Sequence, residues 1–303
     1  MTKIVVTILT QNDLTSPIGW LEETVEGTIN TSGTMAFFGP CIRFAPTHGR
    51  AKVISPHAGN EDVRETKYAG AQVANTTVVF KVVGTNMIKY FSDLEDGAGT
   101  CENSSSMAAS INVHGTTKYW LAEFCRPAFG LVSSGRDLEI IGLVTMNHKF
   151  DLPLGAAWTS KPTLATDPGS STSPSWRFSD GGDNPVTWDG DDMDCENIKV
   201  MFDRIPITRN SAGGTDLAVN KCGGRRIRFR MDLGNDTNAQ NLLSDYQTGT
   251  PKDLVWTLDT GVAVITLANC ILDPIAEEFL TAEEDPEVTL TLSGEATTAT
   301  WST

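Results

Sequence analysis

The C-terminal part of the chain contains two strand-like segments joined by a turn, and this pairing most constrains the fold. Val255 and Thr257, then Val262, Val264 and Thr266, recur with the period of two that is typical of β-strands. Between them, residues 259–261 read Asp-Thr-Gly, a composition that favours a tight turn. The pattern predicts an antiparallel hairpin, and therefore a sheet that includes the C-terminal region.

Strand patterns recur along the rest of the chain, whereas one segment favours a helix. That segment, residues 238–246, follows potential capping residues at 235–237. The chain is therefore predicted to be mainly β: a β-sandwich or β-barrel with one short flanking helix and long loop excursions. The other predicted strands cover residues 3–9, 24–38 (as a strand pair), 75–83, 119–124, 138–146, 199–207, 225–233 and 288–294.

Composition divides the chain into three parts. Residues 1–153 are β-rich and form either the N-terminal part of one fold or a separate first β domain. Residues 154–197 are rich in Pro, Gly, Ser and Asp, which predicts a long polar excursion or an interdomain region. Residues 198–303 return to strand patterns and include the predicted helix.

Acidic side chains outnumber basic ones, and the formal net charge is −15. Residues 251–303 alone carry one basic and ten acidic side chains. Sequence-specific binding of nucleic acid is not expected, because it requires a concentrated positive surface. The chain has no apolar run of membrane-spanning length and begins with a strand pattern instead of a secretion signal. We therefore expect synthesis in a cytoplasm, with the six cysteines mostly buried as free thiols.

Local motifs for catalysis or cofactor binding do not occur in the sequence. The four histidines are dispersed, and there is no phosphate-binding glycine loop, zinc-ligand pair or nucleophile elbow. A site assembled from distant residues would leave no such motif, so a β-rich hydrolase stays an alternative. We expect a protein that is not an enzyme and has no cofactor.

The acidic octet at residues 189–196 is the sharpest candidate for a metal site. It reads Asp-Gly-Asp-Asp-Met-Asp-Cys-Glu, and hard cations bind several carboxylate oxygens from one loop. The spacing departs from the calcium-loop pattern, because no glycine occupies the sixth position. A solvated acidic loop is the favoured interpretation. The candidate ligands are Asp189, Asp191, Asp192 and Asp194.

The basic cluster of the sequence reads Arg-Arg-Ile-Arg-Phe-Arg at residues 225–230. In a strand, alternate side chains share a face, which puts three arginines opposite the apolar residues. Two interpretations fit equally well: a solvated strand face over a core, or a contact with the acidic run of a second copy in head-to-tail assembly. The residues of that hypothetical interface are Arg225, Arg226, Arg228 and Arg230 against Glu277, Glu278, Glu283, Glu284 and Asp285.

Three tryptophans, Trp158, Trp176 and Trp188, lie in the polar excursion. A loop without a core of its own must bury such side chains against another surface. We therefore predict that these tryptophans contact a neighbouring subunit.

The order of elements over residues 198–294 resembles the tail tube proteins of tailed bacterial and archaeal viruses. The similar features are a basic strand, a short helix with a polar loop at 235–249, strands at 254–259 and 262–267, the phrase Thr-Leu-Ala-Asn-Cys-Ile-Leu at 266–272, and a closing strand that ends at Ser-Gly. The resemblance implies a β-sandwich or barrel with one flanking helix. It also implies rings, commonly hexameric, that stack into a hollow tube through which DNA passes without sequence-specific binding.

The leading expectation is thus a structural virion protein of the tail that assembles with copies of itself. A capsid decoration protein or an adaptor is the alternative within that class. A glycan-binding β-sandwich is the alternative from another class. The oligomeric state separates these functions, because stacked rings or hollow tubes are expected of the first alone.

Overall fold

The computed structural model describes residues 18–56, 64–84, 104–113, 116–149, 163–165, 175–210, 217–234, 237–274 and 290–302. The predicted mainly β class is confirmed. Fifteen strands form one hydrogen-bonded network of antiparallel pairs, with one α-helix among the described residues. Within these same residues, no helix has the length and apolar character needed to cross a membrane.

The strands differ greatly in length, from two residues to twenty. The first seven are Gly19–Glu22 (β1), Ala36–Phe37 (β2), Cys41–Pro56 (β3), Arg64–Lys81 (β4), Ser105–Val113 (β5), Thr116–Gly135 (β6) and Ile141–His148 (β7). The next eight are Val186–Trp188 (β8), Asp191–Asp192 (β9), Cys195–Asn210 (β10), Leu217–Leu233 (β11), Lys252–Asp259 (β12), Ala263–Leu272 (β13), Leu290–Ala296 (β14) and Thr298–Ser302 (β15). A 3-10 turn covers Phe178–Gly181, and the helix α1 covers Thr237–Thr248, which includes the predicted segment.

Strand β6 connects the N-terminal and C-terminal halves of the network. Its first part pairs with β5, and its second part lies between β7 and β10. From β10 the order continues through β11, β14, β13, β12 and β8 to β9. The change of partners coincides with a register irregularity near Phe124, whose φ of 57° lies in the left-handed region.

This irregularity is held by Glu23, a buried carboxylate immediately after β1. The backbone N–H of Phe124 and the hydroxyl of Ser106 both donate to its Oε1 at 2.8 Å. The backbone N–H of Gly27 donates to its Oε2, also at 2.8 Å. Because the donors come from separate segments, one side chain fixes the positions of β1, β5 and β6 relative to one another.

The core of the C-terminal half lies between β10–β11 and the strands β8, β12, β13 and β15. The rings of Phe229 and Trp188 have centroids 6.1 Å apart, and those of Phe202 and Trp301 are 5.5 Å apart. The predicted hairpin is confirmed, since β12 and β13 pair antiparallel with Thr257 opposite Val264. The side chains that this hairpin buries are Leu254, Trp256, Leu258, Ala263, Ile265, Leu267, Cys270 and Leu272.

The strand pair predicted at residues 24–38 is wrong in its boundaries. The two strands are β1 and β2, with Gly19 opposite Phe37. The segment after β1 turns at once, because Gly27 adopts a φ of 72° and Val25 bridges Thr28. β-branched residues in this turn produced a strand pattern without a strand.

Candidate assembly surfaces

The basic stripe of β11 has the alternation that its sequence predicts. Arg226 and Arg230 are exposed and Arg228 is half-buried, whereas Ile227 and Phe229 are buried. The arginines therefore occupy the outer face of the strand, and the apolar residues face the core.

Each arginine of the outer face pairs with an acid of the same chain. The pairs are Arg226–Glu295, Arg228–Asp203 and Arg230–Asp232. The hydrogen bond from Arg226 to Glu295 raises the pKa of that arginine. Arg225 donates to the backbone carbonyl of Thr297 at 3.1 Å.

These intrachain pairs weaken the hypothesis that the stripe recognises the acidic run of a second copy, because its charge is already largely neutralised. The proposed acidic partners, Glu277, Glu278, Glu283, Glu284 and Asp285, lie outside the described residues. The stripe is better explained as a solvated sheet face with cross-strand ion pairs.

The expectation that the tryptophans of the excursion contact a neighbouring subunit is wrong for two of them. Trp176 is 7% and Trp188 is 3% exposed, and both belong to the core of this chain. Trp176 exchanges backbone hydrogen bonds with Val82 and Ile140, both at 2.8 Å, and β8 pairs with β12. The segment thus supplies part of the core. Trp158 lies outside the described residues.

The acidic octet does not gather into a metal site. Asp189 forms an ion pair with Lys252, and Asp194 forms one with Arg136. The hydrogen bond with Asp189 raises the pKa of Lys252. Asp191 and Asp192 are exposed on β9. In the part of the chain that the structure describes, no three His, Cys, Asp or Glu side chains lie together in a manner that could hold an ion.

A long two-stranded ribbon extends from the β3–β4 hairpin. β4 pairs with β7 from Ala74 to Lys81, but its pairing with β3 begins ten residues earlier, at Arg64. Over residues 64–73, no third strand joins the pair among the described residues. At about 3.3 Å per residue this ribbon is roughly 30 Å long. An isolated two-stranded hairpin is only marginally stable in water, so the ribbon is a candidate surface for a partner.

A second ribbon extends from the β10–β11 hairpin. Among the described strands, β10 pairs with β6 as far as Asp203, and β11 pairs with β14 from Ile227 onward. Residues 204–210 and 217–225, here named the ribbon tip, pair with each other. On the tip, Ile205 is 68% and Ile207 is 47% exposed, and Pro206 between them is also exposed. Neighbouring apolar residues are rarely left to water unless they meet a partner.

The inner side of the ribbon tip is fixed to the body of the protein. The side-chain amide of Asn220 donates to the carbonyl of Phe124 at 2.6 Å and to that of Asn147 at 3.0 Å. Leu217 is buried there as well. A groove of about 270 Å³ beside this contact is lined by Glu26, Phe124, Lys149 and Lys221, among others. At least one charged residue of the groove already has an ion-pair partner, since Lys149 pairs with Glu123 at 2.5 Å.

The opposite end of β10 is acidic. We name residues 136–138 and 189–196 the acidic end; they include one basic and six acidic side chains. The backbone N–H of Arg136 donates to the carbonyl of Glu196 at 2.7 Å, which joins the two segments. Leu138, 60% exposed, stands beside the exposed Asp137. An exposed leucine within an acidic surface is the second apolar feature that sequence reasoning missed.

No protein-family model and no curated protein matches the chain.

Proposed function

We propose that the protein is a structural subunit of a virus tail tube, which assembles with copies of itself into stacked rings around a conduit for DNA. The β3–β4 ribbon is the single observation that carries the proposal. A subunit of a tube must present strand edges and extended hairpins that its neighbours can cover. A chain that functions alone gains no stability from a two-stranded extension about 30 Å long.

Two further observations support self-assembly. The exposed isoleucines of the ribbon tip would become buried in a contact between copies. The other outer strands of the described network are short: β2 and β9 have two residues each, and β15 has five. The long ribbons are therefore the main strand edges that the described chain offers to a partner.

The net charge of −15 supports a conduit in which DNA is repelled instead of bound. DNA phosphates near carboxylates would not bind tightly, so the nucleic acid could slide through the conduit. No sequence-specific contact is part of this proposal.

The test is the oligomeric state of the purified protein, measured by sedimentation velocity and negative-stain microscopy over a range of concentrations. We expect rings or hollow tubes. The control variant replaces residues 49–73 by Asn-Gly, which closes the hairpin at the register pair His48 and Ala74 with a two-residue turn. This variant should keep the cooperative unfolding of the body and lose assembly.

The outcomes separate the functions. A monomer at high concentration would overturn the proposal. Single rings that never stack would favour the adaptor, and specific retention on a glycan array by a monomer would favour the carbohydrate-binding protein. Tubes that form equally well from the truncated variant would show that the ribbon is not the assembly element.

A further inference from the structure

We propose that the copies associate head to tail, with the ribbon tip of one copy docked on the acidic end of the next. The inference rests on the proposed self-assembly and names the surfaces that carry it. Both surfaces belong to described residues, and both involve β10: the acidic end contains its first residue, Cys195, and the tip contains its last, Asn210. At about 3.3 Å per residue the two lie roughly 40–50 Å apart along the strand.

Charge complementarity is the first argument. The ribbon tip has four basic and no acidic side chains, whereas the acidic end has one basic and six acidic side chains. Arg204 is buried, and Asp189 and Asp194 already pair with basic residues of the same chain, so the exposed charges of the two surfaces carry the argument. Arg209 and Lys221 are exposed on the tip. Asp191 and Asp192 are exposed on the acidic end. Opposite potentials steer association and fix the orientation of the partners, while like surfaces repel, so tip-to-tip and end-to-end contacts are disfavoured.

Apolar complementarity is the second argument. Ile205 and Ile207 project from the tip, and Leu138 projects from the acidic end. An apolar centre with a charged rim is the usual anatomy of a protein–protein interface. The tip would bury its isoleucines on the leucine while its cations meet the surrounding carboxylates.

The contacts that hold the described residues of the ribbon tip against the body of the protein are the third argument. Asn220 and Leu217 hold the inner side of the tip against β6 and β7. Because these described residues are already held in place in the single chain, binding through them loses less of the interaction energy to conformational entropy.

Two different surfaces at opposite ends of one strand produce a heterologous contact. Such a contact leaves one tip and one acidic end free after each addition, so assembly continues along an axis instead of closing as a dimer. A stack of rings requires a contact of this kind between successive layers.

The test uses two variants of the full chain that each inactivate one surface. Ile205→Ser/Ile207→Ser removes the apolar centre of the tip, and Leu138→Ser removes that of the acidic end. All three side chains are largely exposed, so the fold should persist, which is checked by thermal unfolding. Each variant alone should associate about tenfold or more weakly than the wild type. Val262→Ser, at an exposed valine of the β12–β13 turn, is the matched control and should assemble normally.

Mixing the two variants gives the sharpest result. The Leu138→Ser variant keeps an intact tip, and the tip variant keeps an intact acidic end. In a mixture, the intact tip of one variant should therefore dock on the intact acidic end of the other, and no further copy should add. Particles of two layers, or heterodimers when rings do not form, are expected. An isologous tip-to-tip contact would instead leave the Leu138→Ser variant able to associate on its own, and mixing would restore nothing.

The charged rim has its own test. Arg209→Glu/Lys221→Glu should abolish stacking, and Asp191→Lys/Asp192→Lys in the partner should restore it. Wild-type stacking should also weaken as salt rises. If the wild type assembles and all variants assemble equally well, the head-to-tail contact is wrong while the proposed function stands. If the wild type never assembles, both are overturned.

Discussion

Trp188 in β8 and Phe229 in β11 contact each other in the core, with ring centroids 6.1 Å apart and planes tilted by 51°. The indole N–H of Trp188 also donates to Asp245 Oδ2 of the helix α1 at 3.1 Å. One tryptophan from a stretch rich in Asp, Gly and Pro therefore joins the sheet, the helix and the core.

Phe229→Ala should destabilise the protein by about 3–5 kcal/mol, because it opens a cavity beside Trp188 in a fully buried site. Equilibrium denaturation in urea measures the loss. Val262→Ala, at an exposed position, should change the stability by less than about 0.5 kcal/mol. Similar values for the two variants would contradict the described packing.

Glu23→Ala should cost about 3 kcal/mol or more, since the N–H groups of Phe124 and Gly27 and two serine hydroxyls would lose a charged acceptor. Denaturant titration measures the loss of stability, and amide hydrogen exchange shows which residues are affected. Exchange at the Phe124 amide should accelerate most. The Asp183→Ala variant, at an exposed position, serves as the control and should leave both the stability and the exchange rates unchanged.

Burial raises the pKa of Cys41, Cys195 and Cys270 to about 12 each. At pH 8 the thiolate fraction is then on the order of one in ten thousand, so these residues should not react with iodoacetamide in the folded protein. Peptide mass spectrometry after alkylation, with and without urea, distinguishes each cysteine. Rapid native labelling at any of the three would contradict its described burial.

Asp259→Asn should stabilise the protein at neutral pH. Burial, with a contribution from the charge of Asp180, raises the pKa of Asp259 in the fold. A raised carboxyl pKa disfavours the folded state once the group is ionised, so the penalty is absent at low pH and grows as the pH rises through the unfolded and then the folded pKa. Asparagine suits the same turn position. The gain in Tm should be present at pH 7 and disappear below the unfolded pKa.

The sequence predicts those strands in which one face is buried along most of its length. In β12, Leu254, Trp256 and Leu258 alternate with partly exposed residues, and β11 behaves in the same way. Alternation is a local property, so it can be read without knowing the partner strand.

The missed features depend on pairing between distant segments. β8 and β9 have three and two residues, too few for a period, and β8 becomes a strand because β12 lies beside it. The two ribbons could not be predicted from the sequence either. The alternation of buried and exposed residues in one strand does not show where pairing with a third strand ends. The exposed Ile205 and Ile207 look like core residues in sequence and become distinctive only when their surroundings are known.

The position of β6 has a consequence for the order in which the chain is made. A ribosome completes β6 at Gly135, but its neighbour β10 begins only at Cys195. During that interval the hydrogen-bonding edge of residues 129–135 waits for a strand that has not yet been synthesised, and another nascent chain could supply one. If translation is faster than the association of unfinished chains, the chain folds to the native subunit. If it is slower, the chains aggregate.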